Sequence, residues 1–571
     1  MRRFLFWLGI SLGIIAIFSV AIYLFISELL DTEPVISRNS YVQMQLGGTI
    51  PEYNVPDALE EYLGSNGLNM QKVRNTFRMA AVDDRIEGIV LKLGFLQSGF
   101  AKLADLRQMI QTFQTSGKKV IAHLDFAFTR DYYLASFCDS IFLQPGGTIF
   151  LNGFSFEVTF YKGFFSKIGV QADFEHIGKY KNAPDIYTRQ TMSEPQREVL
   201  DEILNFRFNE VVEGIANARD LEAETVNNIL ENIGGLTGPE ALEFGLIDGI
   251  RYSDTLDSLF IENDNELQKI SLGEYSRIKP QSVGLEKGPR IAVIYCVGTI
   301  TGGEDGSDPF FGNTMGAQRV IRNIKSAVKS NSVKAIILRI NSPGGSSLAS
   351  DEIWHAIDQA REKKPIIASI SDLGASGGYY IALAADKILA QPGSLVGSIG
   401  IFGGKFSLDS MYQSLGLNTV ALQRGRNARM FSLNSTFSPS ERRILRKSLQ
   451  NFYELFLERV ASSRQISIEE TRTLAQGRVW TADQSLNVNL IDQLGSMDDA
   501  ISLAKKLAEI DSTADVRLIY YPKKKSFLGQ LVRTVSHLKS PFINPVARLE
   551  SYLSEIQGKP LALMPFILSI K

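Results

Sequence analysis

The segment "YIALAADKILAQPGS", residues 380–394, has a counterpart in the first half of the chain, "YLASFCDSIFLQPGG", residues 133–147. An offset of 247 positions (380 minus 133) aligns the two segments, and the same offset aligns "IEGIVLKL" at 86–93 with "VKAIILRI" at 333–340. One register held over so long a stretch indicates two copies of one structural unit. We therefore predict a tandem repeat.

Each copy alternates short β-branched segments with helical ones. In the second copy the segments that read as buried strands, being short, apolar and bounded by turn formers, are "RIAVIYCV" (290–297), "VKAIILRI" (333–340), "KPIIASIS" (364–371) and "KILAQPG" (387–393). Helix-like segments lie between them, near 315–330, 348–362 and 377–386. This alternation predicts an α/β fold with mostly parallel sheets, in which ligands bind at the carboxyl ends of the strands.

A longer helical segment follows in each copy, at 193–219 and at 438–464. Both segments begin with Ser and Pro followed by Glu, which favours a helix N-terminus. A polar segment with Pro and Gly, residues 275–290, joins the copies. We predict a first repeat over residues 32–280 and a second over residues 281–515.

The two ends of the chain differ in character. Residues 4–26 contain no charge and, at 1.5 Å per residue, are long enough to span a hydrocarbon layer of ~30 Å. Arginines precede them and acidic residues follow, so we predict a transmembrane anchor at 1–31 with the bulk of the chain outside the cytoplasm. A cleaved secretory signal is the alternative. Residues 516–571 are predicted to be a basic, solvated tail, with contact to a membrane surface as the alternative.

Composition limits the classes of function. The chain has 571 residues, 44 % hydrophobic and 21 % charged, with a formal net charge of -2. These values are typical of a globular protein with substantial cores and provide no general attraction for nucleic acid. No CxxC or HExxH spacing occurs, so no metal site and no cofactor are expected.

Two glycine-rich segments carry the candidate chemistry. "SDLGASGGYY", residues 371–380, places Ser376 among small residues at a predicted helix start, which is suitable for an exposed nucleophile. "RINSPGGSS", residues 339–347, is a strand end with a Gly pair, where backbone amides can approach a substrate carbonyl. The amides of Gly345 and Gly377 are the predicted oxyanion donors.

The base for this nucleophile is predicted from what each copy lacks. At the repeat offset, Ser376 aligns with Thr129, whereas Lys181 of "HIGKYKNAPD" aligns with Ala428. A lysine kept neutral by burial can accept the serine proton and return it to a leaving amine. Lys181 is the predicted general base; the neighbouring Lys179 and His176 are the alternatives.

The glycine-rich segment at 301–316 raises a separate question, because such segments can hold nucleotides. It lacks a following Gly-Lys-Ser/Thr, so we predict a mobile loop near the cleft instead.

The motifs "NSPGG", "ASGGYYIA", "GSLVGSIGIFGG" and "GKYKNA", in a tandem repeat behind one predicted anchor, resemble the signal peptide peptidase A (protease IV) family in its long, duplicated form. That family resembles the caseinolytic protease (ClpP) and crotonase folds. The resemblance implies a Ser/Lys dyad in which Ser376 is the nucleophile, Lys181 the base and Ser398 the hydroxyl that orients the lysine. It also implies a homotetramer. Whether Lys181 serves Ser376 of its own chain or of a neighbour stays open.

We therefore expect a membrane-anchored serine endopeptidase that degrades hydrophobic peptides, such as cleaved signal peptides left in the membrane. The expected location is the bacterial inner membrane, crossed once, with the catalytic part on the extracytoplasmic side. A crotonase-like acyl-CoA enzyme is one alternative, and a catalytically inactive scaffold for membrane partners is another.

Overall fold

The structure, a computed structural model, describes residue 7 and residues 33–54, 67–260, 267–308, 312–523 and 560–564. The strands are β1 (Ser40–Gly48), β2 (Ile86–Leu96), β3 (Lys119–Phe128), β4 (Ser140–Leu151), β5 (Gln171–Ile177), β6 (Gly234–Thr237), β7 (Gly249–Ile250), β8 (Gln268–Ser271), β9 (Arg290–Val297), β10 (Thr299–Thr301), β11 (Gly306–Asp308), β12 (Gly312–Gly316), β13 (Val333–Ser342), β14 (Gly344–Ser346), β15 (Ile366–Ala375), β16 (Lys387–Ala390), β17 (Leu395–Gly397), β18 (Ile401–Ser407), β19 (Val479–Thr481), β20 (Gln493–Leu494), β21 (Arg517–Tyr521) and β22 (Leu561–Leu563).

The α-helices are α1 (Met70–Val82), α2 (Phe100–Gln114), α3 (Thr129–Ala135), α4 (Lys162–Lys167), α5 (Asp185–Thr188), α6 (Glu194–Arg219), α7 (Ala223–Asn228), α8 (Gly238–Glu243), α9 (Leu272–Tyr275), α10 (Ala317–Lys329), α11 (Ser347–Arg361), α12 (Gly377–Ala382), α13 (Asp409–Ser414), α14 (Pro439–Arg464), α15 (Ile468–Ala475), α16 (Ala482–Asn487) and α17 (Met497–Leu507). A π-helical turn (Ile229–Ile233) and two 3₁₀ turns (Ser253–Leu259 and Pro280–Val283) complete the helical elements of the described residues.

Each half of the chain builds a largely parallel sheet. The first has the order β6-β4-β3-β2-β1-β8, with β7 beside β4, and the second has the order β19-β17-β15-β13-β9-β21, with β16 beside β15 and β20 beside β16. The strands pair in parallel except at β4–β6 and β17–β19. The prediction of an α/β fold with two related units is confirmed.

Each of these two sheets is the centre of a hydrophobic core of its own. The β-branched side chains of the strands pack against the apolar faces of the helices beside them, so that Ile89 and Leu91 of β2 are fully buried, as are Ile336 and Leu338 of β13. Such buried runs are typical of parallel strands that are covered on both faces.

A third sheet joins the two halves. Its order is β11-β12-β10-β14-β22-β18-β5, so a strand from the first half, β5, forms the edge of a sheet built mostly from the second. β5 pairs antiparallel with β18, and Ile177 lies opposite Ile401. The segment that follows β5 is thereby held next to the start of β18, where the candidate site lies.

A buried ion network also connects the halves. The Arg339 guanidinium on β13 lies 2.9 Å from Glu52 and 2.8 Å from Asp105 of the first half. Asp105 is also 2.9 Å from Arg74. These four side chains are almost completely buried. Buried charges are tolerated only when they are paired, so the network fixes how the two halves dock.

The long helices α6 and α14 confirm the start signals in the sequence. Ser438 caps α14 by accepting the backbone N–H of Glu441, Pro follows at the first helical position, and the Glu441 carboxylate accepts the Ser438 N–H. This is a capping box. Helix α6 begins in the same way at Ser193 and Pro195, without the side-chain cap bond.

The structure differs from the predicted tail at 516–571 in two places. Strand β21 pairs in parallel with β9, so residues 517–521 extend the second sheet beyond the predicted boundary at 515. Residues 562–564 are buried rather than solvated, because β22 lies between β14 and β18. Residues 524–559 and 565–571 lie outside the described residues.

The predicted anchor at 1–31 also lies outside the described residues, apart from residue 7. Within the described ranges, every helix is too short or too polar to span a bilayer. The predicted mobile loop at 301–316 is described except for residues 309–311, and its described parts include β11 and β12, which pair antiparallel.

Candidate active site

Ser376 lies at the junction of β15 and α12, in a strained turn. Its backbone has φ 54° and ψ -114°, which residues with side chains rarely adopt. Its N–H donates to the Gly397 carbonyl at 2.7 Å, which holds this conformation. A Cβ on Gly378 would lie 2.6 Å from the Ser342 carbonyl oxygen, so only glycine lets the helix begin this close to β13.

Lys181 reaches this turn from the first half of the chain. It follows β5, and the N–H of the preceding Tyr180 donates to the Gln476 carbonyl at 2.7 Å. A Cβ on Gly477 would lie 2.6 Å from the Lys181 backbone nitrogen, so a glycine is required there. Sequence reasoning missed this turn at 476–477. Gly477 was visible as a turn former after α15, but the sequence does not show which segment packs on it.

The lysine amine is surrounded by serine oxygens. Nζ of Lys181 donates to Oγ of Ser376 at 2.7 Å, to the carbonyl oxygen of Ser398 at 2.9 Å and to Oγ of Ser398 at 3.0 Å. All three residues are 0 % exposed. Burial lowers the pKa of Lys181 well below its ordinary value. These three partners carry no charge, so they do little to offset the cost of burying an ammonium group.

The alternative bases lie elsewhere. Lys179 is exposed, with its amine 3.2 Å from the Tyr180 hydroxyl. His176 is also exposed, and its Nδ1 lies 3.2 Å from the Gly178 carbonyl oxygen. The structure therefore brings Lys181 to the Ser376 hydroxyl, and both residues belong to the same chain.

The predicted oxyanion donors lie together beside Ser376. Gly345 has φ 157°, and a Cβ there would lie 2.1 Å from the Ile300 carbonyl oxygen. A Cβ on Gly377 would lie 3.2 Å from the Gly345 nitrogen. The backbones of the two glycines are thus in contact.

The corresponding place in the first copy has lost this arrangement. Thr129 is buried there, and its Oγ1 has no hydrogen-bond partner among the described residues. The Asp131 carboxylate accepts the N–H groups of Leu96 at 2.8 Å and Phe128 at 2.9 Å. In the first copy, therefore, the Asp131 carboxylate already accepts these backbone N–H groups. They lie near a cavity of about 840 Å³ that Thr129 lines.

An apolar cluster adjoins the nucleophile, because Ala375, the residue before Ser376, belongs to it. Its buried members come from both halves of the chain and include Val199, Leu200, Ile203, Ala375, Leu395, Val479 and Met564. We call this set the apolar cluster.

In the part of the chain that the structure describes, no group of three or more His, Cys, Asp or Glu side chains is placed to hold a metal ion.

Comparison with known proteins assigns the chain to a class of hydrolase. Peptidase family S49 matches residues 112–264 and 358–511, one match in each half. The chain belongs to this family, and it is a serine-type peptidase. The acyl-CoA enzyme and the inactive scaffold are thereby set aside.

Similar proteins cover most of the chain. The chloroplastic serine protease SPPA of Arabidopsis thaliana is 33 % identical over 91 % of this chain and 76 % of its own length. Protease 4 of Salmonella typhi is 30 % identical over 81 % of this chain and 75 % of its own length. A ClpP1 mutant from Listeria monocytogenes covers 37 % of this chain and 94 % of its own, with 16 % identity and a TM-score of 0.24, too low to support an argument.

Proposed function

We propose that this chain is a serine endopeptidase with a Ser/Lys dyad, in which Ser376 is the nucleophile and Lys181 the general base. The observation that carries the proposal is the 2.7 Å separation of Lys181 Nζ and Ser376 Oγ in a fully buried site. Ser398 orients the lysine through two oxygens. The amides of Gly345 and Gly377 hold the oxyanion.

The chemistry follows from the protonation state of the lysine. Because burial lowers its pKa, Lys181 is neutral at a pH where an exposed lysine is charged. The neutral amine takes the Ser376 proton as Oγ attacks the peptide carbonyl, and it later gives that proton to the leaving amine. A water molecule then hydrolyses the acyl-enzyme by the same route.

Hydrophobic peptides are the proposed substrates. The members of the apolar cluster other than Met564 would bury apolar side chains of a bound peptide and would disfavour charged ones. A similar protein from Enterococcus faecium, 29 % identical over 39 % of this chain, is described as a putative signal peptide peptidase SppA. Cleaved signal peptides are therefore the proposed class.

The location and assembly are part of the same proposal. The uncharged segment at 4–26, preceded by arginines, supports a single-pass anchor in the bacterial inner membrane with the site on the extracytoplasmic side. The family resemblance supports a homotetramer. Light scattering of the detergent-solubilised chain tests the assembly, and a mass other than four chains rejects it.

Replacement of Ser376 by Ala tests the dyad. We expect hydrolysis of an apolar fluorogenic peptide to fall at least about 1,000-fold, because the variant has no hydroxyl to acylate. The matched control is Ser414→Ala, which removes an exposed hydroxyl at the end of α13. Parental activity in Ser376→Ala would reject the mechanism.

A further inference from the structure

The chain's own C-terminal segment lies in the cleft beside the candidate nucleophile. Strand β22 runs antiparallel to β14, the strand that contains the predicted oxyanion glycine, and its Leu561 also pairs with Phe402 of β18. The register on β14 pairs Gly344 with Leu563, Gly345 with Ala562 and Ser346 with Leu561. An extended peptide that adds a strand to an open edge binds in this way.

The hydrogen bonds show which carbonyl faces the site. The N–H of Met564 donates to the Pro343 carbonyl at 2.7 Å, and the N–H of Ser347 donates to the Pro560 carbonyl at 3.3 Å. In an antiparallel ladder, hydrogen-bonded pairs alternate with non-bonded ones. The pair of Ala562 with β14 is two positions from each of these bonds, so it is a hydrogen-bonded pair as well.

The Ala562 carbonyl therefore points to the predicted oxyanion donors. Its partner across the ladder is Gly345, whose amide is one of these donors. A Cβ on Gly344 would lie 1.9 Å from the Ala562 oxygen and 2.7 Å from the Gly377 nitrogen. The Ala562 oxygen and the Gly377 nitrogen, the second predicted donor, thus both lie beside Gly344.

The side chains of the segment are buried in the cleft. Ala562 is 0 % exposed, and Met564 packs in the apolar cluster with Ala375. Leu563 packs on the other side with Phe402 and Ala183. Ser376 and Lys181 are both inaccessible to solvent in this arrangement. A peptide from outside cannot pair with β14 until residues 560–564 leave.

We propose that residues 560–564 are an intramolecular inhibitor of this peptidase. They occupy the place of a substrate strand, with the Ala562–Leu563 bond where Ser376 attacks. This inference rests on the proposed function of Ser376. Because the strand is tethered, its effective concentration is high, and external substrate reaches only the fraction of molecules in which the cleft is open.

Substitutions in the strand test the inhibition. Met564→Asp and, independently, Leu563→Asp would each bury a carboxylate among apolar side chains, so the strand should leave the cleft. We expect kcat/KM for an apolar peptide to rise about tenfold or more, as it does when a closed state populated at 90 % or above is removed. Labelling of Ser376 by a fluorophosphonate should accelerate in parallel.

The matched control is Val35→Asp, which adds the same charge at a side chain that is 98 % exposed and should leave both rates unchanged. Thermal unfolding identifies a variant that has lost its fold, and the second variant then decides. If both folded variants keep the parental kcat/KM and labelling rate while Ser376→Ala is inactive, the inhibitor is rejected and the dyad stands. Activity that survives in Ser376→Ala rejects the proposed function instead.

A synthetic peptide with the sequence of residues 559–566 tests the register. Incubated with the Met564→Asp variant, it should be cut between its alanine and the following leucine. In that step Ser376 Oγ bonds to the Ala562 carbonyl carbon, the C–N bond to Leu563 breaks, and Lys181 carries the Oγ proton to the Leu563 nitrogen. Mass spectrometry identifies the two products after water releases the acyl-enzyme. Cleavage at another bond, or none, would overturn the register.

Discussion

Ser376 and Ser398 are both held in the left-handed backbone region, with φ angles of 54° and 51°, and both hydroxyls contact Lys181 Nζ. Each conformation is fixed by a 2.7 Å bond from the serine N–H, to Gly397 and to Arg478 respectively. Such strain persists only where the surrounding structure determines it. The site therefore holds the amine between two hydroxyls before any peptide arrives.

Replacement of Lys181 by Met should lower kcat by about 100- to 10,000-fold, the range of a lost general base. The thermal unfolding midpoint should not fall, since an apolar side chain of similar length replaces a buried amine. Lys179→Met, two positions away and exposed, should behave as the parent. Equal losses in the two variants would contradict the assignment of the base.

The pH dependence of kcat/KM should show one group that must lose a proton, at a pH well below that of an exposed lysine. The sign follows from burial, which lowers the pKa of Lys181, so activity is present above the lowered pKa and is lost as the pH falls through it. Initial rates measured between pH 5 and pH 10 would check this, taking about 10.4 as the value for an exposed lysine. If activity were lost only as the pH falls through a value near about 10.4, Lys181 would be excluded as the general base.

Removal by Ser398→Ala of the hydroxyl proposed to orient the lysine should lower kcat by about 10- to 100-fold, the value of one hydrogen bond to a polar or charged group. The Ser398 carbonyl still accepts from Nζ, so the loss should be smaller than for Lys181→Met. The acidic limb of the pH profile should also shift. A purely structural role would lower the unfolding midpoint and leave that limb in place.

Substitution of Gly345 by Ala should reduce kcat more than about tenfold, because the new Cβ meets the Ile300 backbone and displaces a proposed oxyanion donor. Gly302→Ala is the matched control, since a Cβ there meets nothing within 4 Å. Steady-state kinetics of the two variants would separate the effects. Similar kcat values for Gly345→Ala and Gly302→Ala would show that Gly345 does not act as an oxyanion donor.

The docking of the two halves should weaken in acid. Burial alone would raise the pKa of Glu52, but the charges of Arg339 and Lys102 outweigh it and lower the pKa from 4.5 to about 2. The carboxylate thus contributes stability that is present above pH 4.5 and lost as the pH falls toward 2. Denaturant unfolding of the parent and of Glu52→Gln should differ at pH 6 by about 3–5 kcal/mol and converge in acid. A constant difference would show that the charge of Glu52 is not responsible.

Much of the fold could be predicted because both copies carry local signals. The β-branched segment at 333–340 is the body of β13, and the Ser-Pro-x-Glu start at 438–441 begins α14. The candidate residues also had local signals, since Ser376 and Gly345 lie in glycine-rich turns after strands. Periodicity and turn chemistry act over a few residues, so sequence reasoning could detect them.

The remaining features depend on contacts between distant segments. The pairing of β5 with β18, which brings Lys181 to Ser376, joins residues more than 200 positions apart. The placement of β22 was missed because "LALM" at 561–564 has no motif and lies in the segment predicted to be a basic, solvated tail. Its burial depends on an open edge between β14 and β18, which only the folded sheet provides.

The edge pairing of β5 with β18 makes the duplicated chain indivisible. Deletion of the first copy would leave Ser376 without Lys181, and deletion of the second copy would leave Lys181 without Ser376. Deletion of either copy is therefore expected to abolish activity to the same extent. Two chains, one inactivated in the first copy and the other in the second, could restore activity together only by exchanging β5.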